Sequence, residues 1–503
     1  MRDVLTEVHQ NKSLTHNALA NLLQALIGGI LSFVLYRYIN DTLGVALLGV
    51  WSVVLATASA SRLTDLGLSA SVTRFVALRL ARNTPKEAAR VIETALLSLL
   101  LLMGLFLPIL YWLLWQLLPH LFDAEYLASA RILLPYAFFS LGLSMMTAVL
   151  YSGFEGCQRM DLRAQLAVWG QLLMVALAFL LVPHMRLIGL AWAQIGQNLF
   201  LLATGWWMLR RCLSGLPHIP RYWSKPMFRE MLSYGANVQV ASLFMLIFDP
   251  LTKALMARFG GADAAGYFEM ANQIVLKVRA LIVTANQAIV PRIAQLTETA
   301  PEGLGALYRE NIRILVFFAL PVFSLLFAWS GLFSWLLVGQ VNKQLLFLLQ
   351  LNTVAWLLNL FTAPAYFANL GIGQVGWNTL SHAIMGLING GLGWLLGRYF
   401  GADGVAWAYF IALALGSWLL VMIYQKRNDV YLRELALLEH GWLLVASIAV
   451  AVVGHYAWRS MQTDTLIWVL MGIATLSLVI VAWRHPLYAV FRAKLIPRAF
   501  QEK

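Results

Sequence analysis

Seven ionisable residues stand out within three of the apolar stretches of this sequence: Arg62, Asp65, Asp249, Lys253, Glu269, Lys277 and Arg279. A charge held in hydrocarbon costs about 3 kcal/mol on insertion scales, so such residues face a bundle interior or a water-filled path. Their spacing gives them work to do. Asp249 and Lys253 are four apart on one helical face, either a self-neutralising ion pair or a contact for cargo. Glu269, Gln273 and Lys277 follow at successive four-residue steps, with Arg279 beyond, so Glu269 is expected to neutralise Lys277 and leave Arg279 without an acid on its own helix. Arg62 has Asp65 three residues on. Four cations against three acids, with Arg37 near one mouth as a fifth cation, predict a mildly positive cavity. Asp249, Asp65 and Glu269 are the candidates for ion pairing or for coupling to an ion. Guanidinium groups form paired, planar hydrogen bonds with phosphate oxygens that an ammonium cannot copy. Arg62 and Arg279 are therefore the candidate anion grip, with Lys253, Lys277 and Arg37 adding weaker field. The competing reading ties each arginine up structurally or lets it snorkel to the surface.

Two polar stripes run at helical spacing: Asn17, Asn21, Gln24, Gly28 and Ser32 near the start, and Asn378, His382, Gly386 and Asn389 later. They either glue helices together by close packing and hydrogen bonds or form a hydrophilic lining. His382 could carry a proton near neutral pH, or be simply hydrogen-bonded. Signs of catalysis are weak. Asp123 and Glu125 form an acid pair in PHLFDAEYL, and short acid pairs are common in loops. There is no phosphate-cradling glycine loop, no metal-ligand cluster and no nucleophile beside a base. No enzyme, no cofactor and no metal are expected.

The elements that position these residues follow from composition. Of 503 residues, 60% are hydrophobic and 12% charged, which marks a membrane protein. The net charge of +13 belongs to Lys and Arg at the membrane surface, so nucleic acid is not an expected partner and membrane lipid is. Apolar runs long enough to cross about 30 Å of hydrocarbon number roughly fourteen. The first, at 17–38, reads as an uncleaved helix, since it lacks the short core and cleavage site of a signal peptide. With both termini cytoplasmic, 25 Lys and Arg fall on inner segments and seven outside, so the orientation is N-in and C-in. Cys157 and Cys212 then lie near the cytoplasmic face, where no structural disulfide is expected.

A repeat organises the spans. Gly44, Gly49 and Arg62 recur as Gly261, Gly266 and Arg279 at an offset of 217. Tyr151 and Gly156 recur as Tyr366 and Gly371 at an offset of 215, which also joins GLAWA (189–193) to GVAWA (404–408). Close packing by the small residues, with Trp at the membrane interface, is the favoured reading of the pentapeptides over contact with a bound molecule. Spans 1 to 6 thus match spans 7 to 12. Six is even, so the halves are related by a pseudo-two-fold along the membrane normal. The expected fold is all-α: an N-terminal six-helix bundle (1–210), a cytoplasmic basic linker (211–230), a C-terminal six-helix bundle (231–427), then two extra helices and a basic cytoplasmic tail (428–503). Each arginine stands eighteen residues after its glycine, about 27 Å of helix, so both are expected at the inner side, facing across the cavity.

The stretch FDPLTKALMARFGGADAAGYF (248–268) resembles the seventh-helix segment of polysaccharide and lipid-linked-oligosaccharide flippases. LGVALLGVWS and LTDLGLSASVTRFVA resemble their second helix. These (Wzx-type) proteins belong to the multidrug/oligosaccharidyl-lipid/polysaccharide exporter superfamily. The resemblance covers spans 1 to 12, and spans 13 and 14 fit its fourteen-helix members. It implies movement of an undecaprenyl-pyrophosphate-linked oligosaccharide across a bacterial cytoplasmic membrane by alternating access, with polysaccharide polymerase machinery as a partner. Two other functions remain. A drug/cation antiporter would want cavity carboxylates; the first span has none, while Asp249 keeps that reading alive. A membrane glycosyltransferase would use Asp123 and Glu125, but no long outer loop accompanies them.

Overall fold

The computed structural model describes residues 2–59, 65–213, 215–287, 289–430, 437–460 and 465–488, and among these every regular element is a helix. Lipid offers backbone groups no hydrogen-bond partners, so a chain this apolar satisfies them within each segment. The helices are α1 (Arg2–Leu43), α2 (Val45–Ser59), α3 (Leu68–Ala81), α4 (Pro85–Leu121), α5 (Ala124–Gly156), α6 (Met160–Cys212) and α7 (Lys225–Gln287). There follow α8 (Val290–Thr299), α9 (Leu304–Ala328), α10 (Ser330–Val338), α11 (Lys343–Leu360), α12 (Ala363–Ile372), α13 (Val375–Arg427), α14 (Gly441–Ser460) and α15 (Thr465–Arg484). The protein is a multi-pass membrane protein.

Three helices are too long for one crossing: α6 and α13 have 53 residues each and α7 has 63. Each is a hairpin of two spans, broken at Arg186 (φ 52°), Gly261 (φ 79°) and Gly401 (φ 60°). The corners obey the repeat. Gly44, with φ 87°, turns the chain between α1 and α2 as Gly261 does 217 positions later. Arg186 turns it as Gly401 does 215 positions later. The two pentapeptides sit just past the second pair of corners. A Cβ on Gly189 would collide with the Leu181 carbonyl, and one on Gly404 with the Leu396 carbonyl, so the small residue closes each hairpin. Trp192 and Trp407 face outward.

Two expected spans are interrupted. The second apolar run, 44–74, is long enough for one helix, yet α2 ends at Ser59 and α3 begins at Leu68. Leu66 and Gly67 both adopt positive φ, 48° and 75°, which no α-helix tolerates. The tenth divides into α11 and α12.

The chain forms two compact units: residues 1–269 with 394–405, and residues 270–393 with 406–503. In the first, α6 packs on α1 and α5, and α3 on α4 and α5, around Ile39, Leu68, Leu96, Leu133 and Phe154. In the second, α9 and α14 pack together, with Trp458 of α14 donating from Nε1 to the Ala328 carbonyl at 2.7 Å. Large apolar side chains point away from both cores, among them Ile30, Leu101, Leu387 and Trp442, as hydrocarbon surroundings permit.

Within the first unit, a Cβ on Gly49 would strike the Ala262 carbonyl, and one on Gly266 the Val45 carbonyl. Residues 45 and 262 are themselves repeat mates. The contact is therefore reciprocal, as expected when a pseudo-two-fold axis passes between two segments. Gly49→Val and Gly266→Val should each cost at least the 1 to 3 kcal/mol of an overpacked core, lowering membrane abundance and thermal stability. Gly28→Ala, with open space around its Cβ, should leave both unchanged. Equal stability of all three variants would contradict the crossing.

Candidate functional site

The first unit buries a polar cluster beneath that crossing. Lys253 Nζ lies 2.8 Å from Asp249 Oδ2 and 2.6 Å from Glu269 Oε2. Glu269 also accepts from Tyr36 Oη and Ser52 Oγ, both at 2.7 Å. Lys253 and Glu269 are almost fully shielded, whereas the Asp249 side chain is 40% exposed. Local geometry explains the meeting. Lys253 and Glu269 stand eight residues either side of the Gly261 corner, about 12 Å along each arm, and Tyr36 and Ser52 stand likewise about Gly44. The charged pair of one hairpin is thus the repeat mate of the neutral pair in the other.

This arrangement alters two expectations. Glu269 pairs with Lys253 rather than Lys277. Lys253 is shared by two carboxylates, so with both acids ionised the trio carries net negative charge and adds no positive field. Arg37, too, is compensated, by Asp41 at 2.7 Å.

The second unit holds the opposite situation. Arg279 lies in the unbroken arm of α7 that follows Gly261. Its guanidinium sits 4.6 Å from the Trp356 ring centroid, and one terminal nitrogen donates to Asn359 Oδ1 at 3.0 Å. Among the described residues the buried Arg279 Nε has no hydrogen-bond partner, and no carboxylate pairs with Arg279 or Lys277. Asn359 is fixed in turn through its Nδ2, which donates to Ser417 Oγ at 3.0 Å. Asn272, two turns before Arg279, accepts from Trp356 Nε1 and Tyr409 Oη, both at 3.2 Å, which orients the indole. Three helices (α7, α11 and α13) therefore present one guanidinium among aromatic and amide groups.

The remaining candidates fall out as follows. Arg62 and the side chain of Asn21 lie outside the described residues. Asp65 accepts from Ser69 through backbone and hydroxyl at 3.4 and 3.3 Å. Gln24 is half-buried. In the same stripe, Ser32 Oγ donates to the Gly28 carbonyl and accepts from Gln171 of α6. Asn378 is buried, donating to the Tyr366 carbonyl at 3.0 Å and accepting from Asn369 at 2.9 Å, so it joins α13 to α12. His382 lies 5.7 Å from the Tyr366 ring. Asp123 is the N-cap of α5 and Glu125 stands in its first turn, where acids complement the helix dipole. Sequence reasoning missed Tyr36, Ser52, Trp356 and Asn359. For the first two, the 217 offset from Lys253 and Glu269 was the available signal.

A family model described as polysaccharide biosynthesis protein matches residues 14–297, more than half of the chain. The chain belongs to that family. The fold is shared with solved transporters of the multidrug/oligosaccharidyl-lipid/polysaccharide exporter superfamily. The chain is similar to the lipid II flippase MurJ in its inward closed conformation: 15% identity, 96% of this chain and 99% of that one covered, TM-score 0.70. It is similar to an inward-facing multidrug resistance MATE transporter at 16% identity, covering 82% and 94%, TM-score 0.61. A third likeness, to a superfamily transporter from Pyrococcus furiosus, has 15% identity, 82% and 95% coverage and TM-score 0.56. No curated protein matches by sequence.

In this family member the buried trio is testable through stability alone. Breaking a buried pair by removing one partner costs about 3 to 5 kcal/mol. Lys253→Met should lower thermal stability by that order and Glu269→Gln by less, since Tyr36 and Ser52 can still donate to a carbonyl. The double variant should recover much of the Lys253→Met loss. Strict additivity in detergent melting curves would contradict a direct pair.

Proposed function

We propose that the chain flips an undecaprenyl-pyrophosphate-linked oligosaccharide from the inner to the outer leaflet of a bacterial cytoplasmic membrane, with both termini cytoplasmic. Arg279 carries the reading. A buried guanidinium that no carboxylate among the described residues neutralises is costly unless an anion completes it. A phosphate fits its planar donors, and Lys277 lies two residues away. Trp356 and Asn359, both buried, hold the guanidinium in place. The family description and the likeness to a lipid II flippase support the same cargo class.

The mechanism is alternating access. The headgroup enters a cationic, amide-bearing cavity between the six-helix halves, 1–210 and 231–427, while the polyprenyl tail stays in lipid. Rocking of the halves then presents the headgroup outside. Arg62, the repeat mate of Arg279, is the second proposed grip. Transport requires no bond to be made or broken in the cargo, in keeping with a fold shared with solved transporters. Asp249 and Glu269, engaged by Lys253, are poor receptors for a drug cation.

Arg279→Ala should abolish export with insertion and abundance near wild type, and Arg279→Lys should restore only part. Wild-type export by the alanine variant, measured as surface glycan per cell, would refute the anion grip.

A further inference from the structure

The segment that joins α6 to α7 is more built than a linker needs to be. Residues 215–224 form no helix, yet they are fastened at five points. Glu93 of α4, a carboxylate only 4% exposed, accepts the backbone N–H groups of Arg221 and Tyr222 on one oxygen, at 2.8 and 3.0 Å. Trp223 Nε1 donates to Ser98 Oγ at 2.9 Å. From α6, Trp206 Nε1 donates to the His218 carbonyl at 2.9 Å, and Arg210 donates to the Leu216 carbonyl at 3.2 Å. The segment is a strap tied down on α4 and α6, all within the first unit.

What the strap displays is amphipathic. Ile219, Trp223 and, at the end of α6, Trp207 point outward, at 61, 47 and 49% exposure. Arg90 lies over the Tyr222 ring at 4.6 Å, and Arg211 over Trp207 at 3.8 Å. Arg221 is exposed on the strap itself, and the Lys86 stem lies beside Gly215. Among the described residues none of Lys86, Arg90, Arg211 and Arg221 pairs with a carboxylate. Nearby Arg79, by contrast, is held by Glu87 at 3.1 Å and by Glu230 at 3.9 Å.

Trp and Tyr beside cations that no described carboxylate pairs are the composition of a surface that meets anionic lipid headgroups. Ser98 lies thirteen residues into α4, about 20 Å along it. Trp223 therefore reaches the apolar flank of the helix rather than open water. The geometry points to a binding site for the phosphate of an anionic glycerophospholipid, held between Arg90 and Arg221 with Lys86 and Arg211 flanking, and assembled by Glu93 clamping the strap. Glu93 is a positioning residue here: it adds negative charge but fixes where the cations stand. The site is separate from Arg279 and holds a structural lipid rather than the cargo.

The test is lipid titration of the purified, delipidated full chain, read by native mass spectrometry with phosphatidylglycerol and phosphatidylcholine as probes. Phosphatidylglycerol should bind tighter than phosphatidylcholine. A basic residue near a lipid surface is worth about 1 kcal/mol, or about fivefold. Arg90→Gln with Arg221→Gln should therefore weaken phosphatidylglycerol about 25-fold, while Arg258→Gln with Arg398→Gln, exposed elsewhere and equal in charge lost, should weaken it less than twofold. Glu93→Ala gives the sharper contrast. It makes the protein more positive, so diffuse surface charge predicts tighter binding, whereas a clamped site predicts a loss of about tenfold. Unchanged or tighter binding by a folded Glu93→Ala variant overturns the site, as does equal weakening by the two double variants. Should Glu93→Ala fail to fold, the paired double variants decide alone.

Discussion

The interaction on which the architecture rests is the one between Lys253 and Glu269 beneath the glycine crossing. Two charges this well shielded are tolerable only when their remaining bonds are satisfied. Glu269 achieves that by accepting from Tyr36 and Ser52, which reach it because Gly49 and Gly266 carry no Cβ to hold the segments apart. Removing the small residues would separate the groups, and removing the groups would leave the crossing without its polar fastening. The repeat supplies both: four positions, each eight residues from a corner glycine, neutral in one hairpin and charged in the other. A duplicated fold has here lost its symmetry in charge while keeping it in backbone.

That distinction separates structural charge from charge left for cargo. Lys253 has two carboxylates and Arg37 one, so neither is free to hold a ligand. Arg279 has an amide, an indole face and an unpartnered buried nitrogen. Composition alone weighs these cations equally; only their partners distinguish them.

The sequence disclosed most of the backbone and less of the site. Apolar runs and the two offsets were legible because they are local or periodic, and Gly44 and Gly261, matched at the 217 offset, both stand at breaks. Arg186 did not announce its corner, since an arginine gives no hint of positive φ. The assignment of Glu269 to Lys277 failed for a related reason: helical spacing ranks partners on one helix, whereas the Gly261 corner folds Lys253 back onto Glu269. The facing of Arg62 and Arg279 was argued from eighteen residues of helix after each matching glycine, and Arg62 lies outside the described residues. Basic composition marked 211–230 as a linker, but nothing local showed that Glu93, more than a hundred residues earlier, would clamp it.

The account's central claim, that this family member moves a finished anionic lipid-linked glycan, is tested most directly by analysing lipid-linked sugars in cells lacking the protein, with leaflet reported by a membrane-impermeant glycan-oxidising reagent. The account predicts accumulation of the complete polyprenyl-pyrophosphate-linked oligosaccharide, protected from the reagent in intact cells. Accumulation of an incomplete sugar chain, or of a complete one already exposed outside, would contradict it.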